Sequence, residues 1–202
     1  MDIEGFRSEV FESMSQLFGE GKNEDNIYRI VTDPFGISEG SAIIECVFEN
    51  GLRADAPYPV IHFHVTLTDH VPARVVPYLR TGLDELNNAI AVGAFPALGF
   101  FGFYEPFGQV YLTYRLPYSM DALEEELYNV KYFLGSLYEE LDVFMDYIYF
   151  LMSNPDGMTL QDYMKHIHGM ADFGTEEEIE ELRILSKEIH EEAEKLNSQI
   201  VR

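Results

Sequence analysis

Ten apolar residues, Met120, Leu123, Leu127, Val130, Leu134, Leu137, Leu141, Phe144, Ile148 and Leu151, recur at strictly alternating spacings of three and four. That period lays one continuous stripe along an α-helix. From Ser119 to Ser153 it predicts about nine turns, roughly 50 Å at 1.5 Å per residue. Ser119 reads as the N-cap, and Asp121, Glu124, Glu125 and Glu126 complement the positive end of the helix dipole. Asn154 and Pro155 read as the stop. Such a stripe is expected to form the centre of the core. A charge at Leu134 should therefore be intolerable there, whereas Glu140, off the stripe, should accept alanine.

The pattern before this helix changes period several times. Ile3, Phe6, Val10, Met14 and Leu17 keep helical spacing, and Gly19 with Gly21 terminate that segment. Ile27 to Val31 and Ser41 to Glu49 read as strands joined by a type I turn at Asp33-Pro34-Phe35-Gly36. A loop from Asn50 to Pro59 leads to Val60 to Thr68, where Ile61, Phe63, Val65 and Leu67 alternate with His62, His64, Thr66 and Thr68. Pro72 and Pro77 confine the next helix to a start between Ala73 and Pro77. Val76, Leu79, Leu83, Leu86 and Ile90 then carry it to Gly93. Ala97 to Leu116 reads as a hairpin around Glu105-Pro106-Phe107-Gly108.

Proline at the first loop position of that hairpin excludes the primed two-residue turns, which favours a type I turn with Gly108 left-handed in a bulge. Glu105 then lies opposite Gln109. One face would carry Leu98, Phe100, Gly102, Tyr104, Val110, Leu112, Tyr114 and Leu116. The other would carry Gly99, Phe101, Phe103, Glu105, Gln109, Tyr111, Thr113 and Arg115. After the long helix, a connector over residues 154–174 contains a possible short helix from Thr159 to His168. An acidic amphipathic helix is expected over 175–202, with Thr175 and Glu178 as a capping box. Its thin stripe (Ile179, Leu182, Ile189, Ala193, Leu196, Ile200) is expected to dock on the aromatic face around Phe101, Phe103 and Tyr111, or on that face of another protomer.

The expected fold class is α+β: helix, three strands, helix, two-stranded hairpin and long helix over residues 1–153, followed by a C-terminal helical extension. That order, with Leu86-Asn87-Asn88, Gly93-Ala94-Phe95 and Gln109-Val110-Tyr111-Leu112, resembles the YbjN-like family and, more broadly, the type III secretion chaperone fold. The resemblance spans about residues 1–153. It implies a domain, often homodimeric, that binds protein segments or acts in regulation without catalysis. The segment from Asn154 onward departs from the compact members of that family.

Charge narrows the partners. The chain holds 36 acids against 13 Lys and Arg, a formal net charge of -23, which disfavours nucleic acid and anionic membrane surfaces. Residues 119–202 hold 20 of the acids and 6 of the bases. The long uncharged stretch from Leu86 to Tyr104 is broken by Gly93, Pro96, Gly99 and Gly102 and is not expected to span a membrane. Met1 to Val10 lacks a basic region followed by an apolar run, so no secretory signal is expected. Cys46 is the single cysteine and reads as a buried thiol in a reducing, cytoplasmic setting.

Candidate chemistry is sparse. His62-x-His64 on a strand points two imidazoles to one face, a spacing that metal sites use. A third ligand would have to come from Asp69, His70 or the His166-x-His168 pair, and no metal or cofactor is expected. Gly36-Ile37-Ser38-Glu39-Gly40 matches the nucleophile-elbow string, but a turn precedes it and a strand follows, where the motif needs a strand and then a helix. No catalytic residue is assigned. If the third expected strand and the late hairpin share one sheet, His62 and His64 share a side with Phe101, Phe103, Tyr111 and Arg115. Aromatics on an otherwise polar face mark an interface. These six residues are the expected binding site for a protein or peptide partner, with a homodimer as the assembly. A hydrolase, metal-dependent or otherwise, using the His62/His64 face is the alternative.

Overall fold

The computed structural model describes residues 1–50, 58–94, 99–153 and 159–167, and between 176 and 191 all but 178, 186, 189 and 190. The fold is α+β, as expected, with one six-stranded antiparallel sheet in the order β1-β2-β3-β4-β6-β5. The chain runs α1 (Ile3–Phe18), β1 (Gly21–Glu24), β2 (Ile27–Val31), β3 (Ile43–Asn50), β4 (Pro59–Thr68), α2 (Val76–Ala91), β5 (Phe100–Tyr104), β6 (Gln109–Pro117), α3 (Leu123–Ser153) and α4 (Leu160–Ile167). The described residues between 176 and 191 are helical.

Most element ends follow from local chemistry. The Asp2 carboxylate caps α1 by accepting from Gly5 N at 2.8 Å, and Gly19, at φ +108°, turns the chain out of the helix. Four strands follow α1, not three. β1 forms a two-residue hairpin with β2 through Asp25 and Asn26, both at positive φ, as a type I′ turn requires. Its residues Gly-Lys-Asn-Glu lie mostly exposed, so no apolar alternation marks it. α3 starts at Leu123, four residues later than expected. Ser119 Oγ instead closes a turn by accepting from Asp121 N, while the Glu126 carboxylate reaches back to Ser119 N at 3.0 Å. Met120 is left exposed. The expected stop, Asn154 and Pro155, lies outside the described residues, as do Ala97, Leu98, His168, Thr175 and Glu178.

The inner face of the sheet is sealed by helices. α1 packs Phe6 and Phe11 on Phe48 and Tyr28. α3 packs Phe133 on Phe63 and Tyr114, and Phe144 on Phe101. Cys46 is buried on this face, and burial pushes its thiol far above the usual range.

The register of the β5–β6 hairpin corrects the expected one. Gly108 is left-handed as anticipated (φ 59°), but Glu105 to Phe107 form a 3-10 turn closed by Gly108 N to Glu105 O at 3.1 Å. Glu105 is thereby consumed by the turn, and Tyr104, not Glu105, faces Gln109. A slip of one residue moves every side chain of β5 to the opposite face. Phe101 and Phe103 therefore join Val110 and Leu112 on the inner side, and Phe101 is 4% exposed.

β5 is an edge strand whose outward backbone would be free to pair with another chain. α2 closes it. Asn87 Nδ2 donates to Phe101 O and Phe101 N donates to Asn87 Oδ1, both at 2.8 Å. One carboxamide thus replaces a neighbouring strand.

The last turns of α3, from Phe144 to Met152, are buried on all sides. The Asp146 carboxylate receives Ile37 N at 2.9 Å and Ser38 N at 2.8 Å, and holds the loop between β2 and β3 against the helix. That loop is pinched by a bridge between Phe35 and Gly40 and has no type I turn simply spanning residues 33–36. On the far side, the Tyr163 hydroxyl of α4 donates to Val143 O and its ring packs on Tyr147. Leu182 belongs to the same core, and Arg183 reaches Ile37 O at 3.1 Å and Glu39 at 3.2 Å. The described C-terminal helical residues therefore dock in cis beside the β2–β3 loop, away from the expected aromatic face. Their apolar residues are drawn to the exceptionally apolar end of α3. Glu140, off the expected stripe, is nevertheless buried, so alanine there is not expected to be silent.

Replacing Asn87 with leucine should leave the Phe101 N–H and C=O without partners. The expected cost is about 2 to 4 kcal/mol, measurable as a lowered urea midpoint with unchanged slope, whereas Asn88→Ala should change little.

Candidate functional site

Antiparallel pairing fixes which side chains share the outer face of the sheet. Three cross-strand rows can be followed through the register. The first joins Val31, Ile43, Thr66, Tyr111 and Gly102. The second joins Lys22, Arg29, Glu45, His64, Thr113 and Phe100. The third joins Glu24, Ile27, Val47, His62 and Arg115. Tyr104 and Gln109 lie beside the first row. None of these residues is fully buried, so no described helix covers this face.

Four of the six expected site residues meet here: His62, His64, Tyr111 and Arg115. Phe101 and Phe103 do not, because the 3-10 turn shifts β5 by one residue and sends them into the core side. Phe100 and Tyr104 take their place, 57% and 46% exposed. The signal that identifies them is Gly102. Tyr111 lies directly opposite, and its ring fills the space a Cβ at residue 102 would need. An aromatic ring laid over a cross-strand glycine fixes both residues on one face.

Polar groups on this face are largely paired with one another. Arg29 Nη2 meets Glu45 Oε1 at 2.5 Å. His62 donates from Nδ1 to Glu49 Oε1 at 3.0 Å, and its Nε2 meets Thr113 Oγ1 at 2.9 Å. Gln109 donates to Thr66 Oγ1 at 2.9 Å. Arg115 stands 3.8 Å from Glu49. The His64 ring stacks on Tyr111 with centroids 5.3 Å apart. Beside the exposed Lys22 and Glu24 of β1, what remains outward is apolar: Val31 at 51% exposure, the half-buried Ile27, Ile43 and Val47, and the aromatic corner of Phe100 and Tyr104.

Metal and nucleophile chemistry find little geometry here. Among the described residues no group of three or more His, Cys, Asp or Glu converges as a metal site. Both nitrogens of His62 are already engaged, and His70 pairs with its neighbour Asp69 at 3.0 Å. The His166 side chain lies outside the described residues. Ser38 is fully buried in the pinched loop below Asp146, out of reach of any substrate. Among the described residues no helix is long and apolar enough to cross a membrane. Comparison of the chain with family models, with curated proteins and with solved structures gives no match.

Partial burial holds the His64 pKa below its ordinary 6.5, and nearby His62 adds to this while Glu45 opposes it. A histidine whose folded pKa is depressed binds fewer protons folded than unfolded. Its contribution to stability is complete above about pH 6.5 and is lost as the pH falls from there to the folded value. His64→Gln should therefore flatten the stability profile just below pH 6.5 and leave it parallel to wild type above, as read by urea unfolding across that range. Parallel profiles throughout would show that His64 carries no such linkage.

Proposed function

We propose that this chain is a non-enzymatic protein-binding module that works through the outer face of its sheet. Phe100 and Tyr104 carry this proposal: both stand roughly half exposed or more on a face over which no described helix lies, while the opposite face packs against α1 and α3. Solvent-facing aromatics grouped on one patch are the residues most used as binding anchors. The face is favoured over the edge. Asn87 already occupies the β5 backbone at Phe101, and the other edge strand, β1, is four residues long with Lys22 and Glu24 outward. Both features discourage strand addition.

The partner is a protein or peptide, with a homodimer included. This is the kind of role that the YbjN-like and secretion-chaperone resemblance implies. A cytoplasmic setting belongs to the same proposal and suits a buried, unpaired Cys46. No bound cofactor or metal is part of it.

The test is affinity capture from native cells with wild type, Phe100→Ser/Tyr104→Ser and Tyr128→Ser/Tyr132→Ser, followed by identification of a bound chain and reconstitution with the purified partner. Loss of two anchor rings should weaken binding by at least about tenfold, while the α3 tyrosine variant should bind as wild type. Binding unchanged in the first variant and lost in the second would move the site to α3.

A further inference from the structure

Resting on the binding face proposed above, we propose that its occupant is a second copy of this chain, packed sheet on sheet about a two-fold axis. Charge is the first reason. The cross-strand rows and Glu49 place Lys22, Arg29 and Arg115 on the outer face against Glu24, Glu45 and Glu49. Those three pairs cancel, so the face has no formal net charge in a chain whose total is -23. The full acid excess therefore resides on the rest of the molecule. Two copies repel each other through those other surfaces and can approach without that penalty through this one. Arg29 pairs with Glu45 and Arg115 stands near Glu49 within the face, so for these ions a partner need not supply counter-charges.

Self-complementarity is the second reason. The aliphatic residues Ile27, Val31, Ile43 and Val47 lie on β2 and β3, and the aromatics Tyr111, Phe100 and Tyr104 lie on β6 and β5. A two-fold axis parallel to the strands, midway between β3 and β4, reverses the strand order of the second sheet. β2 then faces β6 and β3 faces β4. The first row meets its own reverse, with Val31 over the second copy's Tyr111, and the second row sets Glu45 opposite the second copy's His64. Aligned sheets packed about 10 Å apart bring such rows into contact.

Sedimentation equilibrium of the full chain tests this. Wild type should be dimeric, and the dimer should tighten as salt rises from about 0.05 to 0.5 M, because screening removes repulsion between the acidic bodies. Val31→Glu and Tyr111→Lys should each be monomeric with native circular dichroism, and an equimolar mixture should recover a dimer through one Glu–Lys pair. Tyr128→Glu adds the same charge on α3 and should leave the dimer intact. Val31 is exposed, so its variant decides the matter even if Tyr111→Lys fails to fold. A monomeric wild type overturns the second-copy occupant, as does a dimer that persists in Val31→Glu or one that weakens with salt. The binding-face function is decided separately: capture that depends on Phe100 and Tyr104 with a monomeric wild type leaves that function standing and removes only the second copy.

Discussion

The rest of the molecule depends on burying the distal half of α3. Its proximal half needs only one face covered, by α1 and the sheet, and keeps Tyr128 and Tyr132 in water. From Phe144 onward the helix is apolar nearly all round, and a helix of that kind cannot rest on a sheet alone. The β2–β3 loop, α2, α4 and the C-terminal helical residues all converge on it. Gly82 of α2 lies against Leu151, and Gly36 against Asp146, where side chains would collide. A single carboxylate in this apolar setting would be costly if unpaired. The two backbone amides of Ile37 and Ser38 satisfy it and also fix where the loop must lie.

Much of this was legible in the residues, for physical reasons that differ by element. The α3 stripe is long enough that no other period fits it, and β4 and β6 alternate cleanly because one of their faces meets the core and the other meets water. β5 could not be assigned to a face in the same way. Its residues Phe-Phe-Gly-Phe-Tyr are apolar on both sides, so the hydrophobic pattern is silent and the turn alone decides the register. Glycine and proline at positions 108 and 106 were compatible with loops of three or four residues, and only the closure of the 3-10 turn separates them. β1 was invisible because an exposed edge strand needs no apolar face. Long-range polar anchors, Asp146 to the β2–β3 loop and Asn87 to β5, left no periodic signal. Two of the six candidate residues were lost by the same one-residue slip: the aromatic character of the outer face was foreseen, with Tyr111 placed correctly but Phe101 and Phe103 named where Phe100 and Tyr104 stand.

The two faces of the sheet do different physical work. The inner one stabilises the fold through burial that extends into every helix. The outer one contributes little core, yet its ion pairs and the Tyr111–Gly102 contact hold several of its side chains in place, which would lower the entropy lost if a partner settled on it. An acidic exterior surrounding a neutral patch also screens partners by charge before any contact is made.

Asn87 has a consequence for the lifetime of the protein. Its side chain must accept from one backbone group and donate to the next, and of the side chains of that length only a carboxamide offers both. Hydrolysis of that amide would put a carboxylate oxygen against the carbonyl of Phe101, turning attraction into repulsion by the exchange of one nitrogen. The edge of β5 would then be released with its aromatic residues and without a covering partner. Spontaneous deamidation at one position is thus a route by which an old molecule could acquire an adhesive strand that a newly made one conceals.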